Sequence, residues 1–151
     1  MKIRVAKPQD YPRIAALHTA VYPDKPETEP ITVLSWSVHS VLLVAEERKQ
    51  ILGTLAVTRP QESTDSITAF VYAAAVHPSH QGKGIMQSLL KALSGSLQVN
   101  GIEYIRFQAL DTAVATHKLA LKYGAEPQPT PDGSAPMYEI RCAAITNGEG
   151  D

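Results

Sequence analysis

The chain has 151 residues and a mass of 16.3 kDa, the size of one domain at roughly 100–200 residues each, and long enough to hold a core without disulfides or metals. Its 14 Lys plus Arg nearly cancel its 15 Asp plus Glu, so it lacks the basic excess of a protein that binds by neutralising phosphates, which disfavours nucleic acid as its main partner. The single cysteine, Cys142, excludes an intramolecular disulfide, and the absence of CxxC or His/Cys clusters leaves no zinc signature.

Lys2 to Ala6 alternates in the period of a half-buried strand, and Pro8 ends it. Asp10 and Pro12 suit the first turn of a helix whose Ile14, Leu17 and Val21 share one face; it stops near Tyr22-Pro23. A polar, Pro-rich loop from Asp24 to Pro30 leads to a short helix around Thr32 to Val38, with Trp36 as a partly buried anchor or a wall of a substrate pocket. Val41 to Glu46 and Ile51 to Thr58 are β-rich and joined by the polar Arg48-Lys49-Gln50, which predicts an antiparallel hairpin. After a polar turn at Pro60 to Ser66, the run Ile67 to Val76 lacks alternation and reads as a central strand covered on both faces.

The period then changes. Ile85, Met86, Leu89, Leu90, Leu93 and Leu97 recur at helical spacing, with Gly101 just beyond the end. Tyr104 to Leu110 returns to strand. Thr112 is a fair N-cap for a helix that holds Val114, Leu119 and Leu121 and stops at Gly124. The last strand is Pro136 to Cys142, where Cys142 reads as a small packed residue, and Thr146 to Asp151 is a polar tail. The order β-α-α-β-β-β-α-β-α-β, with a right-handed crossover from Ile67 to Leu110, predicts an α/β fold with a mixed sheet and helices on both faces. It forms a single domain at 1–145 followed by a tail at 146–151. The amino terminus has no apolar signal core, and no run reaches the roughly 20 apolar residues of a membrane span. The expectation is a cytoplasmic protein without a membrane partner.

The most informative stretch is Val76-His77-Pro78-Ser79-His80-Gln81-Gly82-Lys83-Gly84-Ile85-Met86. It joins a buried strand to a helix through a tight turn. The unpaired N–H groups of a helix start converge there, with an effective charge of roughly +0.5 behind them, which makes an anion seat. A P-loop is excluded because His77 stands where its first Gly belongs and Gly84 where its Ser or Thr belongs. A dinucleotide fingerprint is excluded because Gln87 stands at the third Gly. His77 and His80 read as solvated loop histidines, and Lys83 as a solvent-facing charge near the seat.

Val76-x-Pro78-x-x-Gln81-x-x-Gly84, closing a β-rich run and opening an amphipathic helix, resembles motif A of the GNAT superfamily of N-acetyltransferases. The element order is the GNAT order, and Lys118 to Ala125 resembles the family's helix-four ending. The resemblance implies a GNAT fold with six or seven strands, strands four and five splayed apart. It implies acetyl-coenzyme A as co-substrate and no metal. The pyrophosphate would lie on Gln81, Gly82, Lys83, Gly84, Ile85 and Met86, with the pantetheine arm on the backbone of Ala74 and Val76. A backbone N–H near Val76 would polarise the acetyl carbonyl, an effect typically worth ~3 kcal/mol. Homodimers are common in the family.

The pattern departs from the family at four positions. Met86 replaces a Gly or Ala, Ala120 stands where a Tyr often protonates the thiolate, Ala113 where an Asn is frequent, and Phe70 where some members carry a Glu base. Tyr123, three residues beyond Ala120, is the remaining candidate acid. Glu47 is the candidate base, beside Glu46, Asp111, His117 and a water-mediated route. The resemblance implies direct transfer of acetyl to a primary amine of a small molecule or peptide. Its alternative is a coenzyme A-binding regulatory or sensor module of the same fold without catalysis.

Overall fold

The computed structural model describes residues 1–58, 67–108, 114–128 and 137–146. The turn at 60–66, the strand end at 109–110, Asp111, the cap at Thr112, Ala113, the side chain of His117, the segment 130–135 and the tail at 147–151 lie outside the described residues. Seven strands follow the order β1-β2-β3-β4-β5-β7-β6. They are β1 (Lys2–Val5), β2 (Ser40–Glu47), β3 (Gln50–Thr58), β4 (Thr68–Val76), β5 (Tyr104–Gln108), β6 (Glu126–Gln128) and β7 (Met137–Arg141). The helices are α1 (Tyr11–Val21), α2 (Pro30–His39), α3 (Ile85–Val99), α4 (Val114–Lys122) and α5 (Cys142–Thr146). The chain divides into two compact units, residues 1–59 with 72–90 and residues 60–71 with 91–151.

In the first unit β1 and β3 flank β2, both antiparallel to it. The β2–β3 hairpin turns on Arg48 and Lys49, whose φ angles of 51° and 65° give the twist that a two-residue connection needs. Gln50, expected in the turn, already pairs with Glu47. The fully buried Asp10 ties β1 to α1: its carboxylate accepts from Arg4 Nη1 at 2.7 Å and Nη2 at 3.0 Å, from Arg13 Nη2 at 2.8 Å and from the Lys7 N–H at 2.8 Å. The Arg4 guanidinium holds this carboxyl down at about 2. Asp10, a first-turn residue by its place in the sequence, is thus the hub of an ion-pair network. Ile14, Leu17, Val33, Leu42, Val44, Ile51 and Ala75 form the core of this unit.

In the second unit Thr68, Ala69 and Phe70 of β4 pair parallel to Tyr104, Ile105 and Arg106 of β5, the parallel step expected of a crossover. β7 pairs antiparallel with β5 and with β6. Two elements here were not foreseen. β6 is a three-residue strand at the sheet edge with Pro127 at its centre, a residue that only an edge position tolerates. α5 is a single short turn that begins at Cys142 and reaches Thr146, where a tail was expected. Cys142 is fully buried and burial pushes its thiol up to about 11, so it is an inert packing residue. β4 is central in strand order, yet only Thr68, Ala69 and Ala75 of it are described as buried. Phe70, Val71, Ala73, Ala74 and Val76 are half-buried, so the expected cover on both faces is incomplete.

Candidate functional site

The first unit contains the strand–turn–helix stretch whole. The His77 N–H donates to the Leu52 carbonyl at 2.7 Å, which fastens the end of β4 to β3. Pro78–His80 then forms one turn of 3₁₀ helix, capped by the His77 ring: Nδ1 accepts from the Ser79 N–H at 3.2 Å and meets the Ser79 hydroxyl at 2.7 Å. The His80 ring lies edge-on to His77 at 5.5 Å. His77 is therefore a structural cap rather than a merely solvated histidine.

Gln81, Gly82, Lys83 and Gly84 follow as an exposed loop. Gly82 and Gly84 hold φ at 81° and 78°, and a Cβ at either would meet nothing within 4 Å. Glycine is needed there for the left-handed backbone, not for want of room. The Ser88 N–H and hydroxyl both reach the Gly84 carbonyl at 3.0 Å, so α3 begins immediately after this glycine. The N–H groups of Ile85 and Met86, at the start of α3, have no carbonyl one turn back within the helix. Between Val76 and Ser88 the sequence holds Lys83 and no carboxylate. Ile85 is buried and anchors the helix start, while Met86 is half-buried.

The strand feeding this seat has two sides. The Ala75 carbonyl lies 3.4 Å from where a Cβ on Gly53 of β3 would stand, and His77 bonds to Leu52, so the odd-numbered residues turn their backbone toward β3. By alternation Ala74 and Val76 turn theirs to the opposite edge. Both edge carbonyls accept from side chains: Val76 from Gln81 Nε2 at 3.2 Å, and Ala74 from the Tyr22 hydroxyl at 2.6 Å. Tyr22 caps α1. Its ring stacks on His18 at 6.0 Å, His18 meets Trp36 edge-on at 4.7 Å, and Lys25 Nζ lies 4.9 Å from the Tyr22 centroid. His18 is buried, its Nε2 has no hydrogen-bond partner among the described residues, and burial followed by the Lys25 charge pushes it down to about 4. Burial raises the Tyr22 phenol above its ordinary value. Among the described residues no three His, Cys, Asp or Glu side chains come together to hold a metal, and no helix is long and apolar enough to cross a membrane.

The family model for GNAT acetyltransferases matches residues 11–125. The chain belongs to the acetyltransferase (GNAT) family. Its fold agrees. The PaiA N-acetyltransferase from Thermoplasma acidophilum, solved in complex with coenzyme A, is similar with a TM-score of 0.78 at 16% identity, over 93% of this chain and 98% of that one. An N-acetyltransferase from Staphylococcus aureus Mu50 is similar at 0.73 and 23% identity, over 93% and 98%. YncA from Salmonella typhimurium, a putative acetyltransferase with its cofactor acetyl-coenzyme A, is similar at 0.71 and 21% identity, over 93% of each chain. A sequence search of curated proteins returns no match.

Within this GNAT domain the cofactor residues named from sequence, Ala74, Val76 and Gln81 to Met86, fall together on one edge and one turn. Of the two catalytic candidates, Glu47 does not join them there. Glu47 is exposed at the hairpin end of β2, opposite Gln50 and 3.8 Å from the amino terminus, with β3 between its strand and β4. Tyr123 belongs to the second unit, buried at the end of α4, where its N–H closes the helix on Leu119 and Ala120. Ala120 is fully buried. His18 and Tyr22, not singled out from sequence, are what the structure adds. Their signal was the i, i+4 spacing that places two aromatic rings on one helix face.

Proposed function

We propose that this chain is an acetyl-coenzyme A-dependent N-acetyltransferase that moves acetyl to a primary amine of a small molecule or peptide by direct attack. The observation that carries this reading is the strand edge at Ala74 and Val76 running straight into the glycine turn and start of α3. An extended arm with amide groups can pair with the two edge carbonyls as an added strand would, and its phosphates can take the N–H donors at the helix start. The structures of PaiA with coenzyme A and of YncA with acetyl-coenzyme A support the choice of co-substrate. Bound there, the co-substrate supplies an activated thioester. Backbone N–H groups at the Ala74 end of this edge polarise its carbonyl, and the fixed strand orients it against an incoming nitrogen, so no covalent enzyme intermediate is required.

We place the catalytic domain at residues 1–145 in the cytoplasm, although α5 runs one residue further, to Thr146, and a homodimer is compatible with it. The loop at Asp24 to Thr32 and Trp36 frame the acceptor. Tyr123 as acid and Glu47 as base rest on sequence position. Each needs a loss of about tenfold or more in kcat, in Y123F or E47Q, to stand.

A calorimetric titration with acetyl-coenzyme A, followed by a thiol-release assay over a panel of amines and peptides, tests the proposal. No binding at millimolar acetyl-coenzyme A overturns it. A second reading, a coenzyme A-binding module without catalysis, is favoured by the buried Ala120 and by Phe70 at the two positions where the family resemblance expects acid and base. Tight binding with no turnover on any amine would select it.

A further inference from the structure

We propose that the Tyr22 hydroxyl is the proton donor to the departing sulfur, a catalytic role given by its position on the Ala74 carbonyl. The inference rests on the acetyltransferase reading above and extends it to a residue of α1. The seat at Gln81 to Met86 fixes the phosphate end of the co-substrate, so the arm runs back along β4 from Val76 to Ala74. In a pantetheine arm the sulfur follows the terminal amide by two methylene groups. An arm whose terminal amide pairs with Ala74 therefore ends beside the hydroxyl that already touches the Ala74 carbonyl at 2.6 Å. That carbonyl has two lone pairs, so Tyr22 and an amide N–H can share it.

The ring is held for the task. The backbone N–H of Tyr22 is fixed to the His18 carbonyl at 3.0 Å, the His18 ring stacks against the phenol ring at 6.0 Å, and Trp36 backs His18 at 4.7 Å. A phenol is protonated at neutral pH, as a donor must be, and burial moves it further in that direction. Lys25 Nζ, 4.9 Å from the centroid, sets a positive charge against the ring when negative charge develops on its oxygen. Among the described residues the titratable groups in contact with the ring are His18 of α1 and Lys25 of the following loop, while β4 presents the Ala74 backbone.

The step balances as follows. The amine nitrogen, having released its ammonium proton to solvent, bonds to the acyl carbon. The carbon–sulfur bond breaks with its electron pair on sulfur, and sulfur takes the phenol proton. The proton that the nitrogen then sheds, as it becomes an amide, restores the phenol.

The test is Y22F, measured for acetyl-coenzyme A affinity by calorimetry and for kcat by thiol release. The expected result is a fall in kcat on the order of 10²-fold, with the dissociation constant within about twofold of wild type. Unchanged kcat overturns the inference, and so does tighter binding with undiminished kcat, which would make Tyr22 an occupant that the arm displaces. A loss of kcat confined to Y123F overturns it as well. If Y22F does not fold, 3,5-difluorotyrosine at position 22 keeps the ring and hydroxyl but acidifies the phenol. The high-pH decline of kcat must then move to lower pH, and an unmoved profile overturns the inference. A wild-type protein that neither binds acetyl-coenzyme A nor releases thiol refutes the function itself. A working wild type beside an equally working Y22F refutes only the role of Tyr22.

Discussion

Gly53 links the stability of the first unit to its anion seat. A Cβ at this position would stand 2.8 Å from Ile85 Cγ2 and 3.4 Å from both the Ala75 carbonyl and Leu89 Cδ1. Carbon atoms rest at about 3.5–4.0 Å, so Gly53→Ala forces an overlap of roughly 0.7 Å or more. Ile85 cannot yield cheaply: it is β-branched, stiff at χ1, buried, and the first residue of α3. The entropic gain of replacing glycine, about 0.4–1 kcal/mol, is smaller than the roughly 1–3 kcal/mol that overpacking costs. The net effect is destabilising, a fall in melting temperature of roughly 2–4 °C per kcal/mol for a chain of this length. Because the displaced atoms open α3, acetyl-coenzyme A affinity falls too, by about tenfold for each 1.4 kcal/mol. Thermal denaturation followed by circular dichroism and a calorimetric titration measure the two effects. Ile85→Ala removes the clashing methyl, so the double variant G53A/I85A is less destabilised than the sum of the singles, by roughly 0.5–3 kcal/mol. A G53A protein that melts and binds like wild type, or strict additivity in the double variant, refutes the reasoning.

Three further outcomes are expected. Gly84→Ala forces a side chain onto a φ of 78°, at a cost of about 1–2 kcal/mol. Its melting temperature falls and acetyl-coenzyme A binding weakens, although the added methyl touches nothing; wild-type values in both assays contradict this. His18 at about 4 in the folded state, against 6.5 unfolded, makes the unfolded chain the stronger proton binder between those values. Stability is therefore complete above pH 6.5 and declines by about 3 kcal/mol in all as pH falls toward 4. H18Q removes that slope, whereas the loss governed by Asp10, between 3.8 and about 2, persists; urea denaturation as a function of pH reads both. Asp10→Asn leaves Arg4 and Arg13 around a neutral buried group and costs about 3 kcal/mol, measured as a lowered urea midpoint without loss of acetyl-coenzyme A affinity.

The parts of the fold legible in sequence are those whose physics is local. α3 announces itself by five buried residues, Ile85, Leu89, Leu90, Leu93 and Leu97, at helical spacing, and the Arg48-Lys49 turn by its polarity between two β-rich runs. The Gln81 to Met86 turn was legible because backbone conformation demands glycine at two of its positions. β6 was not, since Pro127 in a three-residue segment reads as a break unless the strand is known to lie at an edge. α5 is too short to display a period. Tyr22 and His18 depend on a hydrogen bond across 52 residues and on rings stacked along α1, and no spacing motif encodes the first of these. Glu47 was named only as a remaining carboxylate once Phe70 stood at the usual position, and its place at the hairpin end of β2 follows from strand pairing that sequence does not display.

Calorimetric titration of acetyl-coenzyme A into the wild-type protein tests the central claim most directly. Saturable one-to-one binding that free coenzyme A displaces is the expected result; absence of binding at about 1 mM ligand contradicts the account.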